Sequence, residues 1–305
     1  MSAFAYGTAA ARAAATLRPM RSIGNTGLRV QPIGLGGMPL SIQGRPDERT
    51  GRAVIEAFLA GGGNFIDTAI SYCFDNTDLG HNERLIAATL KALGRTDVIV
   101  ATKGGLTRPN GQWDVDCTPG WLRHCCEQSA RDLGAPIALY YLHAVDPNVP
   151  LAESLGELVK LRDEGTIAAI GLSNVTARHV DEALALTPIA AVQNRCNVLE
   201  ARDVKSGLVA RCGELGIAYV PYSPVGGHWG HRKLAANADV ARIAAKHGTS
   251  PHAIAIAWLL ALGPHVLPIP GASKVASIEN SLTAAALTLD TDDLAVLDRL
   301  NTPRR

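Results

Sequence analysis

Short apolar runs and helix-patterned stretches alternate along this chain eight times without a break. The runs span residues 33–37, 64–67, 97–103, 137–143, 167–172, 189–193, 217–221 and 266–269. They read as strands because they are brief, apolar and bounded by turn formers. The stretches 47–60, 82–93, 118–133, 151–164, 177–186, 203–215, 250–262 and 275–286 read as helices. Thr118-Pro119 and Ser250-Pro251 mark starts, while Gly61, Gly94 and Gly165 mark stops. Eight such units in 305 residues predict an α/β fold, a (β/α)8 TIM barrel. An N-terminal β-hairpin is expected at 22–30, turning on Gly24-Asn25-Thr26-Gly27, and residues 290–300 add an extra C-terminal helix. The rival is a doubly wound sheet, which requires G-x-G-x-x-G after its first strand. Gly34-Leu35-Gly36-Gly37 lacks the third glycine at the required place, and Pro39 follows. Neither linker nor internal repeat divides 20–305, so one domain is expected there. The Ala-rich residues 1–19 read as a disordered extension, with Met20 as an alternative start.

Charge and composition narrow the class. A formal net charge of +1 gives no electrostatic footprint for nucleic acid or an anionic membrane. No apolar stretch reaches spanning length, and 1–19 lacks the apolar centre of a signal peptide. The six cysteines form no C-x-x-C pair, which suggests free thiols and a cytoplasmic location.

The ends of the predicted strands carry the chemistry. Lys103 closes the run Val98-Ile99-Val100-Ala101-Thr102, where a lysine is costly unless an anion pairs with it. Asp67 closes a second run and His143 a third, while Tyr72 stands five residues past Asp67. In a parallel barrel these positions share one mouth. A phenol near an ammonium is expected to lose part of its high pKa, and Asp67 is the natural counter-ion for Lys103. Such a set moves protons but needs a cofactor for hydride.

Phe65-Ile66-Asp67-Thr68-Ala69 with Tyr72, then Ala101-Thr102-Lys103 and Tyr141-Leu142-His143, resembles the Asp–Tyr–Lys–His tetrad of the aldo-keto reductase superfamily, and some wording is similar to its bacterial pyridoxal-reductase-like members. The resemblance covers residues 20–300. It implies Tyr72 as general acid and a nicotinamide cofactor lying across the barrel mouth. Ser173, Asn174 and Gln193 would then hold the carboxamide, and Tyr222 would stack on the ring. Ser223 and Gly226 would wrap the pyrophosphate. Gly37, Met38 and Gly271 would line the cofactor, with Ser273 and Lys274 on a 2′-phosphate, favouring NADP(H) with NAD(H) possible. The adenine position departs from the pattern: Asn280 carries the asparagine one residue early, and Ser281 stands in its place. Cys73 and Phe74 follow Tyr72 where the family often has glycine, so this bulky pair should alter the pocket. The implied substrate is a small carbonyl compound, an aldehyde or ketone reduced to an alcohol. Oxidation of an alcohol, sugar or pyridoxal is the reverse alternative. A cofactor-binding regulatory role, as in potassium-channel β-subunits, stays open, and oligomeric state is not legible.

Trp113 is a candidate for the substrate pocket. His228-Trp229-Gly230-His231 has metal-like spacing without further ligands, so it reads as a loop near the mouth and no metal is expected.

Overall fold

The computed structural model describes residues 19–300, so the expectation for 1–19 lies outside the described residues except at Pro19. A short hairpin opens the fold, pairing β1 (Arg21–Ser22) antiparallel with β2 (Arg29–Val30). The barrel strands β3 (Leu35–Gly36), β4 (Phe65–Asp67) and β5 (Ile99–Gly104) follow, with α1 (Glu48–Ala60) and α2 (His81–Ala92) between them. A second hairpin, β6 (Leu106–Thr107) and β7 (Asp114–Val115), rises after β5. Then come α3 (Pro119–Leu133), β8 (Leu139–Leu142), α4 (Leu151–Asp163), β9 (Ile170–Ser173), α5 (Ala177–Leu184) and β10 (Ala191–Gln193). The chain continues through α6 (Arg202–Lys205), α7 (Leu208–Glu214), β11 (Ala218–Tyr219), α8 (Gly227–Ala235), α9 (Ala238–Lys246), α10 (Pro251–Ala261), α11 (Val275–Thr283) and α12 (Thr291–Arg299).

Seven parallel strands form one sheet in the order β11-β10-β9-β8-β5-β4-β3. Residues 266–271 close it into a (β/α)8 barrel by bridges to both edges, Tyr219↔Val266 and Gly36↔Gly271. The expected eighth strand is therefore a pair of bridges. Pro268 and Pro270 have no N–H to donate. Their carbonyls still accept from Gly34 and Gly36 N, both at 3.0 Å, while Leu267 and Ile269 N donate to Tyr219 and Pro221 O at 2.8 and 3.3 Å.

Local sequence explains the shell. Asp47 caps α1 by accepting from Thr50 N at 2.7 Å, and Gly51, Val54, Ile55, Phe58 and Leu59 form its buried stripe. Phe65, Ala101, Leu139, Tyr141, Ala169 and Ala191 share the barrel interior with Ile23 and Val30 of the hairpin. The hairpin thus plugs the N-terminal end of the barrel. Arg21 fastens it, donating to the carbonyls of Leu260, Gly263 and Val266.

Other expectations need correction. The predicted helix 203–215 is two, because Gly207 takes φ +80° between α6 and α7. The segment around His228 is helical in α8, and α9 follows it, where a loop was expected. Thr118 precedes α3 without capping it through its side chain, since its hydroxyl donates to Asp116 at 2.7 Å. α12 lies over α9 and α10: Lys246 and His247 meet Asp293 at 2.9 and 2.7 Å, and Trp258 Nε1 donates to Asp298 at 2.8 Å.

Candidate active site

The parallel register brings the C-terminal ends of the strands together, with Asp67 opposite Ala101, Lys103 opposite Tyr141 and Gln193 opposite Ser173. Lys103 is fully buried, and its ammonium has three hydrogens to place. It donates to Asp67 Oδ1 at 2.6 Å, Thr68 O at 2.8 Å and Tyr72 Oη at 3.0 Å. Asp67 Oδ2 accepts from Gln193 Nε2 at 2.8 Å. A buried ion pair persists only when its remaining hydrogen-bonding capacity is met, and this one is met. Because the Tyr72 oxygen accepts from Lys103, its own hydrogen can point elsewhere.

Burial governs the titration of all four groups. It pushes Asp67 upward against the pull of Lys103, and pushes Lys103 downward against the pull of Asp67. It depresses His143 far below its ordinary value, with the Lys103 charge adding to the effect. It raises Tyr72 well above 10, and the Asp67 charge reinforces the rise. The expected lowering of the phenol by Lys103 does not appear in this structure: desolvation, reinforced by the Asp67 charge, raises it instead. Tyr72 stays a protonated donor and His143 a neutral imidazole.

His143 follows β8, with its ring edge-on to Tyr72 at 5.8 Å between centroids and Nδ1 3.5 Å from Ser71 Oγ. Its carbonyl accepts from Asn174 Nδ2 at 2.9 Å, which also reaches Ser173 Oγ at 3.2 Å. Asn174 Oδ1 accepts from the Tyr222 hydroxyl at 2.8 Å, so Ser173, Asn174 and Tyr222 form one strip beside His143. Asn174 and Ser223 hold φ of +57° and +50°, values that side chains other than glycine seldom take.

The remaining expected residues lie around this strip in separate groups. Gly37 donates its N–H to Asp67 O at 2.8 Å, and Met38 begins the 3-10 turn that follows. A Cβ on Gly37 would stand 2.3 Å from Asn82 Oδ1, so glycine is required there. Gly226 precedes α8 without a side-chain cap, which leaves first-turn N–H groups for an anion. Gly271 bridges to Gly36, and Ser273 and Lys274 stand exposed before α11. Asn280 is engaged elsewhere, its Oδ1 accepting from Ser250 Oγ at 2.6 Å. Amides, a hydroxyl, an uncapped helix start and a lysine are donor types that a nicotinamide dinucleotide would need, although the Asn174 and Gln193 amides are bonded within the protein here.

Two supports escaped the sequence reading. Asn82 accepts from Thr68 Oγ1 at 2.6 Å and donates to Gly37 O at 3.0 Å, locking the first two strand ends together. Asn194 is bonded to both Val175 N and Val175 O, at 2.9 and 2.7 Å, and so fixes the turn after Asn174. Their signal was position alone, an amide next to a strand end or helix start. Of the pair that follows Tyr72, Cys73 is fully buried, its thiol donating to Ser71 O at 3.3 Å, while Phe74 reaches the surface.

Comparison with known proteins gives the family and the fold. The sequence model described as "Aldo/keto reductase family" matches residues 32–302. A Glycine max relative named Probable aldo-keto reductase 1 is 33% identical over 310 residues, covering 92% of this chain and 88% of that protein. A crystallised thermostable aldo-keto reductase, in complex with the inhibitor epalrestat, superposes with a TM-score of 0.80 at 27% identity, over 93% of this chain and 100% of its own. A glycerol dehydrogenase from Gluconobacter oxydans superposes with a TM-score of 0.81 at 25% identity, over 94% and 97% of the two chains.

Proposed function

The chain belongs to the aldo/keto reductase family, which makes it an NAD(P)H-dependent oxidoreductase, and on that premise we propose that it reduces a small aldehyde or ketone with Tyr72 as proton donor. The observation carrying this reading is the 3.0 Å hydrogen bond from Lys103 Nζ to the Tyr72 oxygen. When bound, the nicotinamide supplies the hydride that reaches the carbonyl carbon. Tyr72 gives its proton to the oxygen as charge develops there. Lys103 then steadies the phenolate left behind, and Asp67 keeps Lys103 charged and in place. The neutral His143 imidazole orients the carbonyl through the ring nitrogen not facing Ser71. Ser173, Asn174 and Gln193 present the carboxamide contacts, and Tyr222 the stacking face.

Ser273 and Lys274 at the start of α11 support NADP(H) over NAD(H), because a hydroxyl and a point charge there suit a 2′-phosphate. The six free, buried cysteines suit a reducing compartment such as the cytoplasm. The resemblance to a glycerol dehydrogenase favours one second reading, the same site run toward alcohol oxidation.

The test compares wild type with Tyr72→Phe. Nucleotide affinity, read by fluorescence titration with NADPH and NADH, should persist in the variant. Aldehyde-dependent NADPH oxidation should fall by about 10²-fold or more, the lower bound for a general acid. Undiminished turnover in Tyr72→Phe would remove the phenol from the mechanism.

A further inference from the structure

Arg108 sits on the turn between β6 and β7, at the C-terminal end of β5, and only 1% of its surface is exposed. Its Nη2 donates to Gln43 Oε1 at 2.5 Å, Gly111 O at 2.8 Å and Phe74 O at 3.4 Å. Its Nε and Nη1 are buried and have no hydrogen-bond acceptor among the described residues. The guanidinium lies 3.9 Å from the centre of the Trp113 ring. Both acids of the adjoining loop are engaged elsewhere. Asp75 accepts from Thr77 N and Oγ1 at 2.9 and 2.6 Å, and Asp78 pairs with Arg45 at 2.6 Å. A buried guanidinium without a carboxylate is unfavourable in a finished structure, and an incoming anion relieves it.

Its location gives that vacancy of charge a purpose. Phe74 O, within reach of Arg108, is two residues past Tyr72, and β5 carries Lys103. We propose that Arg108 receives an anionic group on the substrate, a carboxylate or phosphate ester beyond the reacting carbonyl. The inference rests on the reductase reading above and narrows its substrate class. Trp113, 47% exposed, covers the guanidinium, and the proposal requires its ring to turn aside when the anion enters. Arginine suits the task because its planar donors match both oxyanions.

The experiment uses the full chain with NADPH and NADH and matched aldehydes. One pair is 4-carboxybenzaldehyde against 4-formylbenzamide, and another is succinic semialdehyde against 4-oxobutanamide. Glyceraldehyde 3-phosphate against glyceraldehyde separates phosphate from carboxylate. Wild type should favour the anionic member of at least one pair by about tenfold in kcat/KM, mostly through KM, as a charge-assisted hydrogen bond allows. In Arg108→Gln that ratio should collapse to near one. Should this variant not fold, Arg108→Lys serves instead, and a KM rise confined to the anionic member is then required. Equal losses on both members mark Arg108 as a structural clamp and overturn the proposal. Turnover of every pair without preference in wild type overturns it too, and leaves the reductase reading intact. No turnover of any aldehyde with either nucleotide overturns both.

Discussion

Glu83 lies behind β5, fully buried, with Oε1 accepting from Thr102 Oγ1 at 2.5 Å, one residue from Lys103. Burial pushes its carboxyl up to about 7 from an ordinary 4.5, against the hydrogen bond from Thr102. Between those two values the folded state holds a proton that the unfolded chain has lost. Stability is therefore complete below about pH 4.5 and declines as pH rises through about 7. At 1.36 kcal/mol per pKa unit the decline is on the order of 3 kcal/mol. Glu83→Gln keeps an acceptor for Thr102 and carries no charge. Urea unfolding at pH 5.5, 7 and 8.5 should show a flatter profile for the variant and a stability gain at the highest pH. Parallel profiles for the two proteins would rule the buried carboxyl out as the cause. Tyr72 illustrates the same physics: in both groups desolvation is the largest influence and favours the protonated form.

Among the elements, β9 shows how a single glycine sets strand packing. A Cβ on Gly171 would fall 2.4 Å from Cδ1 of Tyr141, a rigid ring inside the barrel whose centre is 5.9 Å from Lys103 Nζ. Gly171→Ala must displace that ring, so it should cost roughly 1–3 kcal/mol. It should also lower kcat by disturbing Lys103. Unfolding curves together with kcat measure both effects, and a neutral result on stability would show that Tyr141 has room to move. The strands and their order were legible in the sequence because each buried run is apolar and ends at a turn. Asp67, Lys103 and His143 were legible because titratable groups at strand ends are costly without a use, and Tyr72 was legible through the family resemblance. α8 and α9 were not, since Gly226, Gly227 and Gly230 resemble a loop. The Asn237 cap, accepting from Asp239 and Val240 N, was the unused signal. The break at Gly207 was hidden because helical periodicity continues across it. The β6–β7 hairpin is too short for any pattern, and the roles of Asn82, Asn194 and Arg108 depend on contacts across 14 to 65 residues of chain.

For the molecule as a whole, the two ends of the barrel carry different burdens. The hairpin end is sealed by Ile23, fully buried among interior residues, while the opposite end holds the candidate site. Ile23→Ala should cost about 2–5 kcal/mol through the cavity it leaves. KM for nucleotide and aldehyde should stay unchanged, because the plug is remote from the strand ends that face substrate. Thermal melts paired with steady-state kinetics separate the two effects, and a large KM change would mean that the ends communicate. Closure by 266–271 also shapes the chain's emergence from the ribosome. The residues for proton transfer appear within the first half, yet β3 and β11 keep raw edges until residues 266–271 are made. Vectorial synthesis thus delivers the chemistry early and the seam late, and over that interval the open sheet is the form most exposed to wrong partners.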